Sequence, residues 1–385
     1  MDIAQRDLPR DLRSLTGMRF VASFVVLLVH ALIIAANKDP SLWSLTAVTS
    51  LLALRAVGFF FVLSGFILTW TRAGQPGDTT ARFWRRRLVR VYPNHVATWA
   101  MMILIGSYVQ DELSSPGSIQ SGPAIANLFL VHVWAPDPKY INSVNIVTWS
   151  LACEAFFYLA FPLLYAFTQR LTGESLRRWT LLTFLVTLLI PCLVLLVPGG
   201  PPFNSAIPVP VGQVWLGYAL PLCRLPEFVL GMLVAHIVRA GGSVRIRPYQ
   251  AVALLVAATL LSGVLPPVFS MGPFLAAPCA VLIGVMASRD VRRARSVMSS
   301  RVVVYLGKCS YALYMVHYPV ILFCYHAAIA PGKPLDNLPG GVVVMFVLVP
   351  VSVLASIVLY HIVELPFMRW FANPAAPRVS GAAAG

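Results

Sequence analysis

Residues 13–36, RSLTGMRFVASFVVLLVHALIIAA, constrain this 385-residue chain more than any other stretch. The run is long and apolar enough to cross a bilayer as a helix, yet it contains Arg19 and His30. Their separation of eleven residues amounts to three turns plus about 20°, so the two side chains share one helix face, roughly 16 Å apart along the axis. Lipid cannot solvate either group. Ionisable residues in a spanning helix usually face a protein interior or a water-filled path, so this helix needs a bundle around it.

The rest of the chain supplies that bundle. With 58% hydrophobic residues, 11% charged residues and a mean hydropathy of +0.77, the sequence reads as an all-α, polytopic membrane helix bundle. Windows bounded by proline, glycine and charge predict about ten transmembrane helices, near 15–36, 48–70, 91–109, 146–168, 179–198, 214–238, 250–268, 271–288, 303–328 and 340–362. With the N-terminus inside, 22 arginines fall in inner segments and three lysines, Lys38, Lys139 and Lys333, in outer ones. That split predicts both termini in the cytosol of a multi-pass plasma-membrane protein. It also accounts for the net charge of +15 without nucleic acid.

Residues 1–370 read as one membrane-embedded domain and 371–385 as a disordered tail. The first run is too long for a cleavable signal core and is expected to stay in the membrane. The longest outer loop, 110–145, carries Asp111 and Glu112, and the proline-rich segment 198–213 reads as an ordered cap or a lid. Six cysteines stand singly in or beside apolar segments, and His132 and His361 are isolated, so neither a disulfide framework nor a metal site is expected.

Several polar groups interrupt the apolar segments. ARFWRRRLVRVYPNH, residues 81–95, carries Arg82, Arg85, Arg86, Arg87 and Arg90, and Arg87 and Arg90 share a face if a helix starts there. A fork of guanidinium groups at the inner edge suits a phosphate-rich ligand from the cytosol, although any inner loop collects arginine. Glu154 lies deep in an apolar run with Tyr158 at i+4, and a buried carboxylate needs a cation or a hydroxyl. Arg224 and Glu227, at i, i+3, can pair within their own helix, and Glu364 reads as a helix-end residue paired with a basic loop. Tyr311, Tyr314 and His317 form a polar patch on the ninth span.

Taken in order, these stretches resemble the acyltransferase 3 family of integral-membrane O-acyltransferases. The pieces are Arg19 with ten residues before His30, FFVLSGF at 60–66, RRLVRVYP at 86–93, WSLACEAFFYLAFP at 149–162, RLPEFVLGM at 224–232, LGKCSYALYMVHYP at 306–319 and VELP at 363–366. The resemblance implies acyl transfer from acyl-CoA, with His30 as the catalytic histidine, Arg19 as its motif partner and Arg87 and Arg90 as the pair associated with the donor. It also implies functional importance for Glu154 and His317. Arg86 and Tyr314 are added as expected donor contacts, and no metal is expected. Two departures stand out. Gly58 occupies a position where the family often has an acidic or hydroxyl residue, and Ala155 and Phe156 stand where it often has Glu-Gln. The wording looks most like stand-alone members that tailor antibiotics, such as macrolide acyltransferases.

The expected function is transfer of a short acyl group, acetyl or another, from acyl-CoA to a hydroxyl of a small sugar-bearing or polyketide acceptor. His30 can serve as general base or as a nucleophile that forms an acyl-imidazole. The rival reading is an exporter of a lipid or antibiotic, whose buried charges would couple to protons. The absence of a visible internal repeat weighs against it.

Overall fold

The computed structural model describes residues 8–9, 11–75, 77–106, 108–109, 119–203, 207–242 and 246–372. Arg6, Arg10, Asp111, Glu112, Arg245, Arg378 and nearly all of the expected tail lie outside the described residues. Ten long helices carry the described fold: α1 Arg13–Ala36, α2 Trp43–Ala73, α3 Thr80–Ile105, α4 Thr148–Thr168, α5 Gly173–Val194, α6 Pro221–Arg239, α7 Pro248–Val264, α8 Ala276–Val291, α9 Arg301–Cys324 and α10 Gly340–Phe371. There is no strand among the described residues. Among the described residues a single bridge, Pro202 to Pro210, joins the two ends of the proline-rich segment.

Eight of these segments are long and apolar enough to cross a membrane. The exceptions are informative. α7 has only 17 residues, and α3 is polar because its first three turns hold the arginines. The hydropathy pattern starts the third span near residue 91, whereas the helix starts eleven residues earlier, at Thr80. Thr79 supplies the reason, since its hydroxyl accepts from the Arg82 N–H at 3.2 Å and caps the helix. Arg85, Arg86, Arg87 and Arg90 are therefore helical residues that point in fixed and different directions.

Alternation of the helices gathers the arginine-bearing ends. At one end of the bundle the Trp70 indole donates to the Pro9 carbonyl at 3.0 Å, and Arg239 lies over Trp70. Asp290, at the end of α8, caps α1 there: it accepts from Ser14 N at 2.8 Å and from Ser14 Oγ at 2.6 Å. At the other end Asp39 accepts from the Gly340 N–H at 3.2 Å, and Lys38 reaches Asp336 at 3.8 Å. Helices consecutive in the chain run in opposite directions between these two layers, whereas the closely packed pairs α1–α9 and α2–α6 run parallel.

Helices α2 and α6 approach closely enough to need glycine. A Cβ at Gly65 would collide with the Phe228 carbonyl and one at Gly231 with the Val62 carbonyl, so α2 and α6 touch backbone to backbone. In a bilayer such contacts replace the hydrophobic drive that lipid removes. Four five-residue π-turns, Trp215–Ala219, Tyr325–Ile329, Val344–Leu348 and Tyr360–Glu364, interrupt the helical phase. The last of these lies in α10 and brings Glu364 against α3.

Candidate active site

Residues of helices α1, α2, α3, α4 and α9 line a cavity of about 120 Å³. Arg19 of α1 and Arg87 and Arg90 of α3 line it, with Ser64 of α2, Glu154 and Tyr158 of α4, and Tyr311 and Tyr314 of α9. The reach of Arg87 and Arg90 follows from the early start of α3, which puts both on the same inward face. Glu154 accepts from the Tyr158 hydroxyl at 2.7 Å, one helical turn away. Among the described residues none of the three arginines lies within 4 Å of a carboxylate. Three guanidinium groups against one carboxylate leave the cavity cationic, a suitable environment for phosphate or a developing oxyanion.

The two histidines implied by the resemblance meet elsewhere. His30 Nδ1 and His317 Nε2 are 3.1 Å apart, although the residues are 287 positions apart in the chain. His317 Nδ1 lies 3.0 Å from the Leu313 carbonyl, which can only accept, so that nitrogen carries the proton. With both rings neutral, His317 Nε2 must then accept from His30 Nδ1–H. His30 Nε2 keeps its lone pair; His30 is half-buried as a residue, whereas His317 is fully buried. Tyr318 packs edge-on against the His30 ring at 5.7 Å.

Neither histidine lines the arginine cavity. Phe60 and Tyr314, which do, pack edge to face at 5.8 Å, and Tyr314 is 6.0 Å from the His317 ring. The Tyr314 hydroxyl is held by Ser150 at 2.7 Å and the Val147 carbonyl at 3.2 Å. Phe60 has no such anchor. The two rings form a septum between the arginines and the imidazoles.

Other sequence-predicted residues fall differently. Arg86 turns away from the cavity and grips Asp78 with both terminal nitrogens, while Arg72 reaches the same carboxylate at 3.0 Å. The Arg86 hydrogen bonds hold the Asp78 carboxyl below its ordinary range. Asp78 lies in the turn between α2 and α3, and hydropathy gave it no prominence. Glu364 meets the side-chain amide of Asn94 at 2.9 Å inside the bundle, rather than a basic loop, because the π-turn rotates it inward.

Arg224 and Glu227 pair as their spacing predicts, at 2.7 Å, each with about 1% of its side chain exposed. Arg224 also donates to the Met271 carbonyl at 2.5 Å and lies over Phe61 and Trp149. A side chain at Gly58 would press on the Glu227 carboxylate, 2.8 Å from where its Cβ would sit. The acidic group absent from position 58 is thus replaced in space by one from α6. Among the described residues no cluster of three metal-ligating side chains occurs.

Comparison with known proteins bears on this arrangement. The acyltransferase domain family matches residues 12–361. Acyltransferase MdmB of Streptomyces mycarofaciens is 32% identical over 368 residues, covering 94% of this chain and 93% of that one. O-acetyltransferase OatA of Staphylococcus aureus is 25% identical over 291 residues, 69% of this chain but only 46% of its own length. A putative O-acetyltransferase from the same species is 24% identical over 389 residues, covering 94% of this chain and 58% of its own. No solved structure gives a significant match. An all-helical bundle, the ordered motifs and a match over most of its length together show that the chain belongs to the acyltransferase 3 family.

Proposed function

We propose that this membrane acyltransferase moves a short acyl group from acyl-CoA to a hydroxyl of a sugar-bearing or macrolide-like polyketide acceptor, as in antibiotic tailoring. The observation that carries the reading is the pairing of a cationic, carboxylate-poor cavity with a histidine whose Nε2 lone pair is left free. The donor's phosphates would sit at Arg87 and Arg90, with Arg19 deeper along the same route. Arg86, committed to Asp78, acts at most at the mouth.

In this scheme His30 Nε2 takes the proton of the acceptor hydroxyl as its oxygen attacks the thioester carbon. The C–S bond breaks, and the proton passes to the leaving thiolate. His317 is a positioning residue: its proton on Nδ1, fixed by Leu313, makes Nε2 the acceptor that orients His30. Glu154, hydrogen-bonded to Tyr158, offsets part of the arginine charge and keeps it on the donor side. O-acetyltransferases among the relatives favour a small acyl group. Cytosolic termini, which follow from the charge pattern, put the arginine end and the donor on the same side.

The test is transfer by purified protein in detergent, without a membrane gradient, across a series of acyl-CoA donors. His30→Ala is expected to lower the rate about 10²- to 10⁴-fold while leaving the thermal transition in place. A folded His30→Ala protein with unchanged transfer would end the scheme. Labelled acyl-enzyme trapped by donor alone would replace general-base catalysis with an acyl-imidazole.

A further inference from the structure

A second concavity, of about 580 Å³, runs along the seam between α3 and α10 on the outside of the bundle. From α3 it takes Arg85, Leu88, Val89, Tyr92, Val96 and Ala97, and from α10 Val363, Phe367 and Phe371. Arg85, Leu88, Tyr92 and Val96 recur at three and four positions and form a stripe turned away from Arg87 and Arg90, with Ala97 at its deep edge. The groove shares no residue with the arginine cavity. Behind it the buried Asn94–Glu364 hydrogen bond closes the seam, so an occupant lies against the protein without entering the active site.

We propose that this groove holds one anionic phospholipid from the arginine-rich leaflet. Arg85 is exposed at one end and makes no ion pair among the described residues, which leaves its guanidinium for a phosphate. From Arg85 to Ala97 the helix rises about 18 Å, slightly more than one leaflet of a hydrocarbon core about 30 Å thick. The wall beyond Arg85 is almost wholly apolar: Leu88 is 59% exposed and Phe367 40%, surface that an acyl chain would cover. One cation at headgroup depth above a chain-length apolar slot matches an anionic lipid better than a soluble anion or a polar peptide. Basic pockets between spanning helices on the cytoplasmic side are a recurrent form of such recognition.

The experiment places the full-length protein in nanodiscs of equimolar phosphatidylglycerol and phosphatidylcholine, extracts it in mild detergent, and counts retained lipids by native mass spectrometry. Wild type is expected to keep one phosphatidylglycerol, with about a fivefold preference over phosphatidylcholine. Arg85→Gln, at an exposed site that folding does not need, should bring that preference close to parity. Ala97→Trp, which fills the inner end of the slot, should reduce retention of both lipids. Equal retention of the two lipids by wild type overturns the proposal, as does a preference unchanged in Arg85→Gln. A dimer whose lipid-free interface covers Phe367 and Phe371 would assign the groove to a second copy instead.

Discussion

Two contrasting settings of arginine stand out inside this bundle. Arg224 is fully neutralised: a carboxylate one turn away, a backbone carbonyl and flanking aromatic rings take up its charge and its donors. Arg19, Arg87 and Arg90 surround open space and have no carboxylate within 4 Å among the described residues. Desolvating a charge is costly, and a fold that leaves three unpaired keeps them available to something outside itself. The first setting holds helices together, and the second waits for a ligand. Substitution should separate them.

The largest effect is expected at the neutralised pair. Arg224→Ala leaves Glu227 charged and alone in the core and should cost about 3–5 kcal/mol, read as a collapse of the thermal transition in detergent. Arg224→Ala,Glu227→Ala together should recover part of that loss. Arg90→Ala should do the opposite: the transition holds or rises, while the donor KM increases about tenfold or more with the loss of a charged hydrogen bond. If Arg90→Ala instead unfolds the protein, the contrast between the two settings fails.

Smaller effects sharpen the picture. Phe60→Ala thins the septum without touching the anchored Tyr314, so donors with longer acyl chains should gain about tenfold in kcat/KM relative to acetyl-CoA. Least affected is Asp78→Asn, expected to change stability by no more than about 1 kcal/mol because the pair lies at the membrane edge. Asp78 is held below its ordinary pKa, so its stabilisation is present at neutral pH and is lost as pH falls through the carboxylate range. A thermal transition that falls with acidification in wild type, and less steeply in Asp78→Asn, would display that dependence.

Much of this was legible in the chain. Span positions followed from hydropathy, and the Arg224–Glu227 pair from local spacing, because both depend on neighbours in sequence. The start of α3 was not, since a hydropathy window ends where arginines begin and cannot register a cap such as Thr79. The His30–His317 contact joins residues 287 apart; motif resemblance pointed to each but not to their hydrogen bond, which only the α1–α9 packing creates. The septum was invisible for a related reason. Phe60 looks like an ordinary apolar-helix residue, and Tyr314, read as part of a polar patch and a donor contact, gives no sign of packing on it until α2 and α9 are set side by side. Arg86 misled because sequence gives direction around a helix only when the helix boundary is known.

The π-turn at Tyr360–Glu364 has a further consequence. One extra residue in a turn advances everything after it by about 100° around the axis. α10 is therefore put out of register here, as it is at Val344–Leu348: the rod between the two turns exposes Val351, Leu354 and Val358, and the rod after Glu364 turns Phe367 and Phe371 toward α3. Deleting a single residue there would realign the rods, swing Glu364 toward hydrocarbon and pull Phe367 off the seam. A one-residue gap in this short stretch would thus be far less tolerable than several residues lost from an outer loop.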